Sequence, residues 1–132
     1  MKFALEVCVL IRHLEYEEPG PTVRKQLVKS STSVAFNYRA ACRGRSHDEY
    51  TSKMGLVSEE ADESFGRLEF IDEARLLNSK ELPRLIAESR ELVAISITRL
   101  PNYPLTQFTR APPVAKGPMT IRSTNRDTAW RL

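Results

Sequence analysis

The chain has two imidazoles, His13 and His47, and acid–base chemistry near neutral pH would run most naturally through one of them. They stand 34 residues apart. His47 lies inside Ser46-His47-Asp48-Glu49, a capping box with serine at the N-cap and glutamate at N3, so it reads as a helix-start residue. Serines crowd the segment around Ser30, Ser31 and Ser33, yet no histidine and orienting carboxylate stand beside them to activate a nucleophile. Glu60-x-x-Glu63 and Glu88-x-x-Glu91 resemble the carboxylates of a di-metal bundle, but such a centre pairs Glu with His and neither motif has one. They read as solvated acidic faces. Cys8 and Cys42 are too few for zinc, which takes about four ligands, and read as small buried hydrophobes. The expectation is a non-enzymatic protein without cofactor, metal or small-molecule substrate.

Charge is the stronger signal. Between Ser30 and Glu63 the cations Arg39, Arg43, Arg45 and Lys53 gather near a turn, and Glu59, Glu60, Asp62 and Glu63 follow about two helical turns later. Arg24, Lys25 and Lys29 extend the basic stretch upstream. Two chemistries fit. The arginines bind phosphate, which makes Arg39, Arg43, Arg45 and Lys53 candidate nucleic-acid contacts. Alternatively they pair with helix-three carboxylates, across the bundle or between subunits. Asn37 follows Val34 on the core side and needs a hydrogen-bond partner if buried, with Glu60 the candidate across the helix pair.

Four helices must position these residues. Phe3, Val7, Leu10, Ile11 and Leu14 mark one face of a helix over about Phe3 to Tyr16, which Pro19-Gly20-Pro21 ends. Thr22 is the expected N-cap of a second helix, Val23 to Arg43, with Gly44 closing it in the left-handed conformation. Its apolar line is Val23, Leu27, Val34, Tyr38 and Ala41, with small residues between them that let another helix approach closely. A third helix runs from the capping box to about Leu77, following Tyr50, Met54, Val57, Ala61, Phe65, Leu68 and Ile71 or Asp72. Gly55 and Gly66 inside it each cost about 1 kcal/mol against alanine, and read as close contacts or slight bends. The fourth runs from about Lys80 to Leu100, with Pro83 admissible in the first turn. Its apolar face (Leu82, Leu85, Ile86, Leu92, Val93, Ile95, Ile97 and Leu100) is wider than one core stripe needs, which points to an oligomer.

At 132 residues the chain supports a single core. The expected architecture is all-α: an antiparallel up-down-up-down four-helix bundle over 1–100, then an irregular tail over 101–132. The tail holds five of the eight prolines and reads as extended or disordered. The net charge of +3 belongs to it: residues 1–100 carry 15 basic and 16 acidic side chains, whereas 101–132 carry five basic and one acidic. Bulk charge is therefore no argument for a nucleic-acid partner of the bundle. No apolar run reaches the roughly 20 residues that span a bilayer, and Glu6, Arg12 and His13 interrupt the apolar start, so no membrane partner and a cytoplasmic location are expected.

The segment from Gln26-Leu27 through Thr32-Ser33-Val34, Asn37-Tyr38-Arg39-Ala40-Ala41, Arg43 and Arg45-Ser46 resembles a known family. The match continues through Glu49-Tyr50, Lys53, Glu60-Ala61-Asp62-Glu63 and Leu68-Glu69. It is similar to the four-helix-bundle proteins encoded in 23S ribosomal RNA intervening sequences, and more distantly to the accessory variability protein of diversity-generating retroelements. The resemblance covers about residues 3–100 and is densest over 26–77. It implies a cytosolic bacterial homopentamer around a central channel, with no established enzymatic activity. The distant relative adds the idea of binding RNA or DNA, and a reverse transcriptase, through a basic surface. The pattern departs at Gly66-Arg67, where relatives carry an aromatic pair. A homo-oligomeric scaffold with a nucleic-acid or ribonucleoprotein partner is the first expectation. A protein-binding adaptor without nucleic-acid affinity is the alternative, and a metal-binding bundle ranks behind both.

Overall fold

The computed structural model describes residues 1–99, and these form an all-α four-helix bundle. Helix α1 spans Lys2–Leu10 and runs into a 3-10 turn at Ile11–His13; α2 spans Gly20–Ala41, α3 His47–Glu73 and α4 Leu82–Arg99. Short connections force sequential neighbours to pack antiparallel, and α1 also touches α4, which closes the bundle. The expected tail at 101–132 lies outside the described residues.

The core follows the periodicity. Phe3, Val7, Leu10, Ile11 and Leu14 are buried, as are Val23, Leu27, Val34 and Ala41 of α2. Tyr50, Met54, Val57, Ala61, Leu68 and Ile71 line the inner face of α3, and Leu82, Leu85 and Leu92 that of α4. Ile71, not Asp72, points inward. The small residues of α2 do bring α3 close: Ser30 and Ser64 are buried, and the Ser64 hydroxyl lies 2.9 Å from that of Ser30. This is a buried polar link between the two helices. Asn37 instead donates to the carbonyl of Ser33 one turn back, at 3.0 Å, and not to Glu60.

Helix ends depart from expectation where long-range contacts decide them. The first helix stops before Tyr16, because three glutamates, Glu15, Glu17 and Glu18, sit unfavourably at the negative end of a helix dipole. Arg24 of α2 meets the carbonyls at this end: its Nε donates to Ile11 at 3.1 Å, and its Nη2 to Leu14 and Glu15. Helix α2 starts at Gly20, not after Thr22, since Pro21 fits the first turn where no donor is needed. Gly20 is required there, because a Cβ would collide with the Glu15 carbonyl oxygen.

Gly44 is not left-handed. Helix α2 tightens through Arg43 to Ala40 and Gly44 to Ala41 bonds of 3.0 and 2.9 Å. Helix α3 ends at Glu73 in a Schellman motif: Leu76 donates to Ile71 and Arg75 to Asp72, each at 3.0 Å. Arg75 takes the left-handed position, φ 52°, where glycine is usual. Gly55 and Gly66 are not close-contact points among the described residues, since a Cβ at either meets nothing within 4 Å. Cys42 is exposed and Cys8 only half-buried, so neither is the buried hydrophobe expected.

Candidate nucleic-acid interface

The turn between α2 and α3 sets the four basic candidates at one end of that helix pair. Arg39 is half-buried in the last turn of α2 and already engaged within the fold. Arg43 and Arg45 are exposed in the turn, and Lys53 is half-buried in the second turn of α3. The capping box fixes this geometry. The Ser46 hydroxyl accepts from the Glu49 N–H at 3.1 Å, and the Glu49 carboxylate accepts from the Arg45 backbone N–H at 2.9 Å. The reciprocal arm thus reaches one residue further back than the usual box. It occupies the Glu49 carboxylate on the backbone rather than on a guanidinium.

Several cations elsewhere in the bundle are ion-paired. Arg67 pairs with Glu63 at 2.7 Å, and Arg90 with Glu69 at 3.6 Å. Arg84 gathers Glu81, Glu6 and Glu88 at 2.9, 3.1 and 3.2 Å, which ties α1 to α4 and raises its already high pKa chiefly through the bonds to Glu81 and Glu6. The side chains of Arg43, Arg45 and Lys53 make no ion pair among the described residues. Arg24, counted with the basic stretch, is a structural clamp whose face also lies 5.1 Å from the Tyr16 ring.

The histidines stand apart from any nucleophile–base arrangement. His13 Nδ1 lies 3.3 Å from the Leu10 carbonyl, and His47 Nδ1 lies 3.4 Å from the Thr51 hydroxyl and 4.0 Å from Asp48. Glu63 and Glu88 of the two Glu-x-x-Glu motifs are taken by Arg67 and Arg84. No group of three or more His, Cys, Asp or Glu side chains that could hold a metal comes together among the described residues. None of their helices is long and apolar enough to cross a membrane.

Two features have little signature in the sequence. A groove of about 330 Å³ runs between α1 and the start of α4, walled by Leu5, Val9, Leu10 and Leu85 with Arg84 and Glu81 at its rim. Arg84 is already paired there with both Glu81 and Glu6. The second is Phe36, 57% exposed on α2. It stands two residues from buried Val34, on the opposite side of the helix from the apolar line, and that offset was the available signal.

Among solved structures, the chain is similar to a protein of unknown function from the S23 ribosomal protein family of Bacteroides thetaiotaomicron VPI-5482. The TM-score is 0.69 at 23% identity, over 76% of this chain and 94% of that one. No family model matches the chain, and no curated protein matches it. At that identity the likeness is one of fold: the same four-helix architecture, nearly the whole of the neighbour's length.

Proposed function

We propose that the protein is a non-enzymatic, self-associating four-helix-bundle scaffold that binds nucleic acid at the α2–α3 turn. One observation carries this reading: Arg43, Arg45 and Lys53 gather at a single turn, and none of them has an acidic partner among the described residues. A cation kept out of the internal ion-pair network is available to a phosphate, and an oligomer repeats the same small patch on every subunit. The ascription of a similar bundle to the S23 ribosomal protein family agrees with an RNA partner. A pentamer, a ribonucleoprotein partner and a cytoplasmic location belong to the same proposal.

The test is binding to a labelled RNA and a labelled duplex DNA across a salt series. Phosphate neutralisation makes log K fall linearly with log salt, and removing one phosphate-bound cation reduces the slope by about one. Arg45→Ala with Lys53→Ala is therefore expected to weaken binding and flatten the slope. Salt-independent binding, or none at low salt, removes the reading. In that event the exposed apolar residues Leu5, Val9, Ile95 and Ile97 favour a protein-binding adaptor built on α1 and α4.

A further inference from the structure

Lys29, Phe36 and Arg43 are seven residues apart on α2 and its end, so they fall on one stripe with about 10.5 Å between neighbours. The stripe lies opposite buried Leu27 and Val34, and all three residues are exposed. On α3, Glu59, Gly66 and Glu73 have the same spacing, are all exposed, and lie opposite buried Ala61 and Leu68. One stripe reads cation, phenyl ring, cation; the other reads carboxylate, missing side chain, carboxylate. Neither Lys29 nor Arg43, Glu59 nor Glu73, makes an ion pair among the described residues.

Gly66 sharpens the correspondence. It sits in mid-helix, costs stability there, and has nothing within 4 Å of where a Cβ would stand. The described residues therefore give no reason for it. A ring arriving from outside would use the space. Both stripes face outward from the same bundle, so they can meet only between copies.

We propose that the outer face of α2 in one copy docks on the outer face of α3 in the next, with Phe36 seated at Gly66 and Lys29 and Arg43 against Glu59 and Glu73. This rests on the self-association proposed above and names its surface. The equal spacing on either side of the centre satisfies the pairing whichever way the two helices run. Because the two faces differ, the contact is head-to-tail, and repetition closes a ring where the rotation allows. Asp48, Gly55 and Asp62 repeat the pattern one notch earlier, but Gly55 is half-buried and Asp48 lies against His47. Arg43 is thereby committed to the join, while Arg45 and Lys53 stay with the polyanion.

Light scattering on the full chain across a dilution series tests this. Phe36→Asp, and separately Lys29→Glu with Arg43→Glu, should raise the assembly midpoint by roughly tenfold or more, as loss of a central interface residue does. Gly66→Leu should do the same while circular dichroism stays helical, since the monomer has room for the side chain. Adding Glu59→Lys with Glu73→Lys to the α2 reversal should restore assembly; restoration by Asp48→Lys with Asp62→Lys instead overturns the Gly66 seat. A wild-type oligomer whose size none of these changes alters overturns this interface and leaves self-association standing. A wild-type monomer at every concentration overturns both.

Discussion

Arg24 reaches from the first turns of α2 to the end of the first helix. Its guanidinium donates to the carbonyls of Ile11, Leu14 and Glu15 where α1 ends, and the Ile11 carbonyl also accepts from the Leu14 N–H at 3.2 Å. Arg24→Ala is expected to cost about 1–3 kcal/mol in urea unfolding, because hydrogen bonds from a charged donor are lost in a half-buried place. Lysine should recover only part, since it lacks the planar fork. Tyr38 offers a second prediction. Burial first, then the adjacent Cys42 thiol, push its phenol above the ordinary value of 10.0, against the opposing pull of Arg99, whose Nη1 donates to its hydroxyl at 3.1 Å. A group raised in the folded state contributes stability that is full below its ordinary value and is lost as pH climbs through the folded one. Unfolding free energy should therefore fall above about pH 10, and Tyr38→Phe should flatten that alkaline limb.

At the scale of elements, the informative events are helix ends. The Schellman motif closing α3 puts Arg75 at φ 52°, where a Cβ crowds the following carbonyl. Arg75 is exposed and makes no ion pair among the described residues, so Arg75→Gly is expected to stabilise the fold by about 1 kcal/mol, read as a higher urea midpoint at constant slope. A lower midpoint would mean that the arginine makes a contact worth more than the strain. The sequence marked the start of α3 well, because a capping box is local chemistry within four residues. It marked the stops of α1 and α3 less well. Three glutamates disfavour continuation of α1, but the carbonyls at its end are met by a guanidinium from α2. Helix α3 is closed by a left-handed arginine where glycine would be the usual signal.

At the scale of the molecule, the wide apolar face expected of α4 is present, with Ile95 and Ile97 38% and 52% exposed, but apolar exposure is shared by other helices. Leu5 and Val9 on α1, Phe36 on α2 and Phe70 on α3 are open as well. If copies cover these surfaces, association stabilises the folded state by mass action, so the thermal midpoint should rise with protein concentration. A midpoint independent of concentration over a hundredfold range (about 2.7 kcal/mol of linkage) would count against assembly.

The sequence by itself determined which side chains form the core. Each helix must bury one stripe, and a period of 3.6 residues writes that stripe into the order of Leu27, Val34, Met54, Val57, Leu68 and Leu85 without reference to any other segment. What only the tertiary structure decided was the fate of the polar groups. The link expected at Asn37 and Glu60 fell to Ser30 and Ser64, because a hydroxyl fits the close crossing of α2 and α3 while the amide finds a carbonyl in its own helix. Arg24 became a clamp and Arg84 a hub, while Arg43, Arg45 and Lys53 make no ion pair among the described residues. Burial repeats along one helix, but a charge is satisfied by whatever the fold brings within reach, and that distance is set between elements, not along the chain.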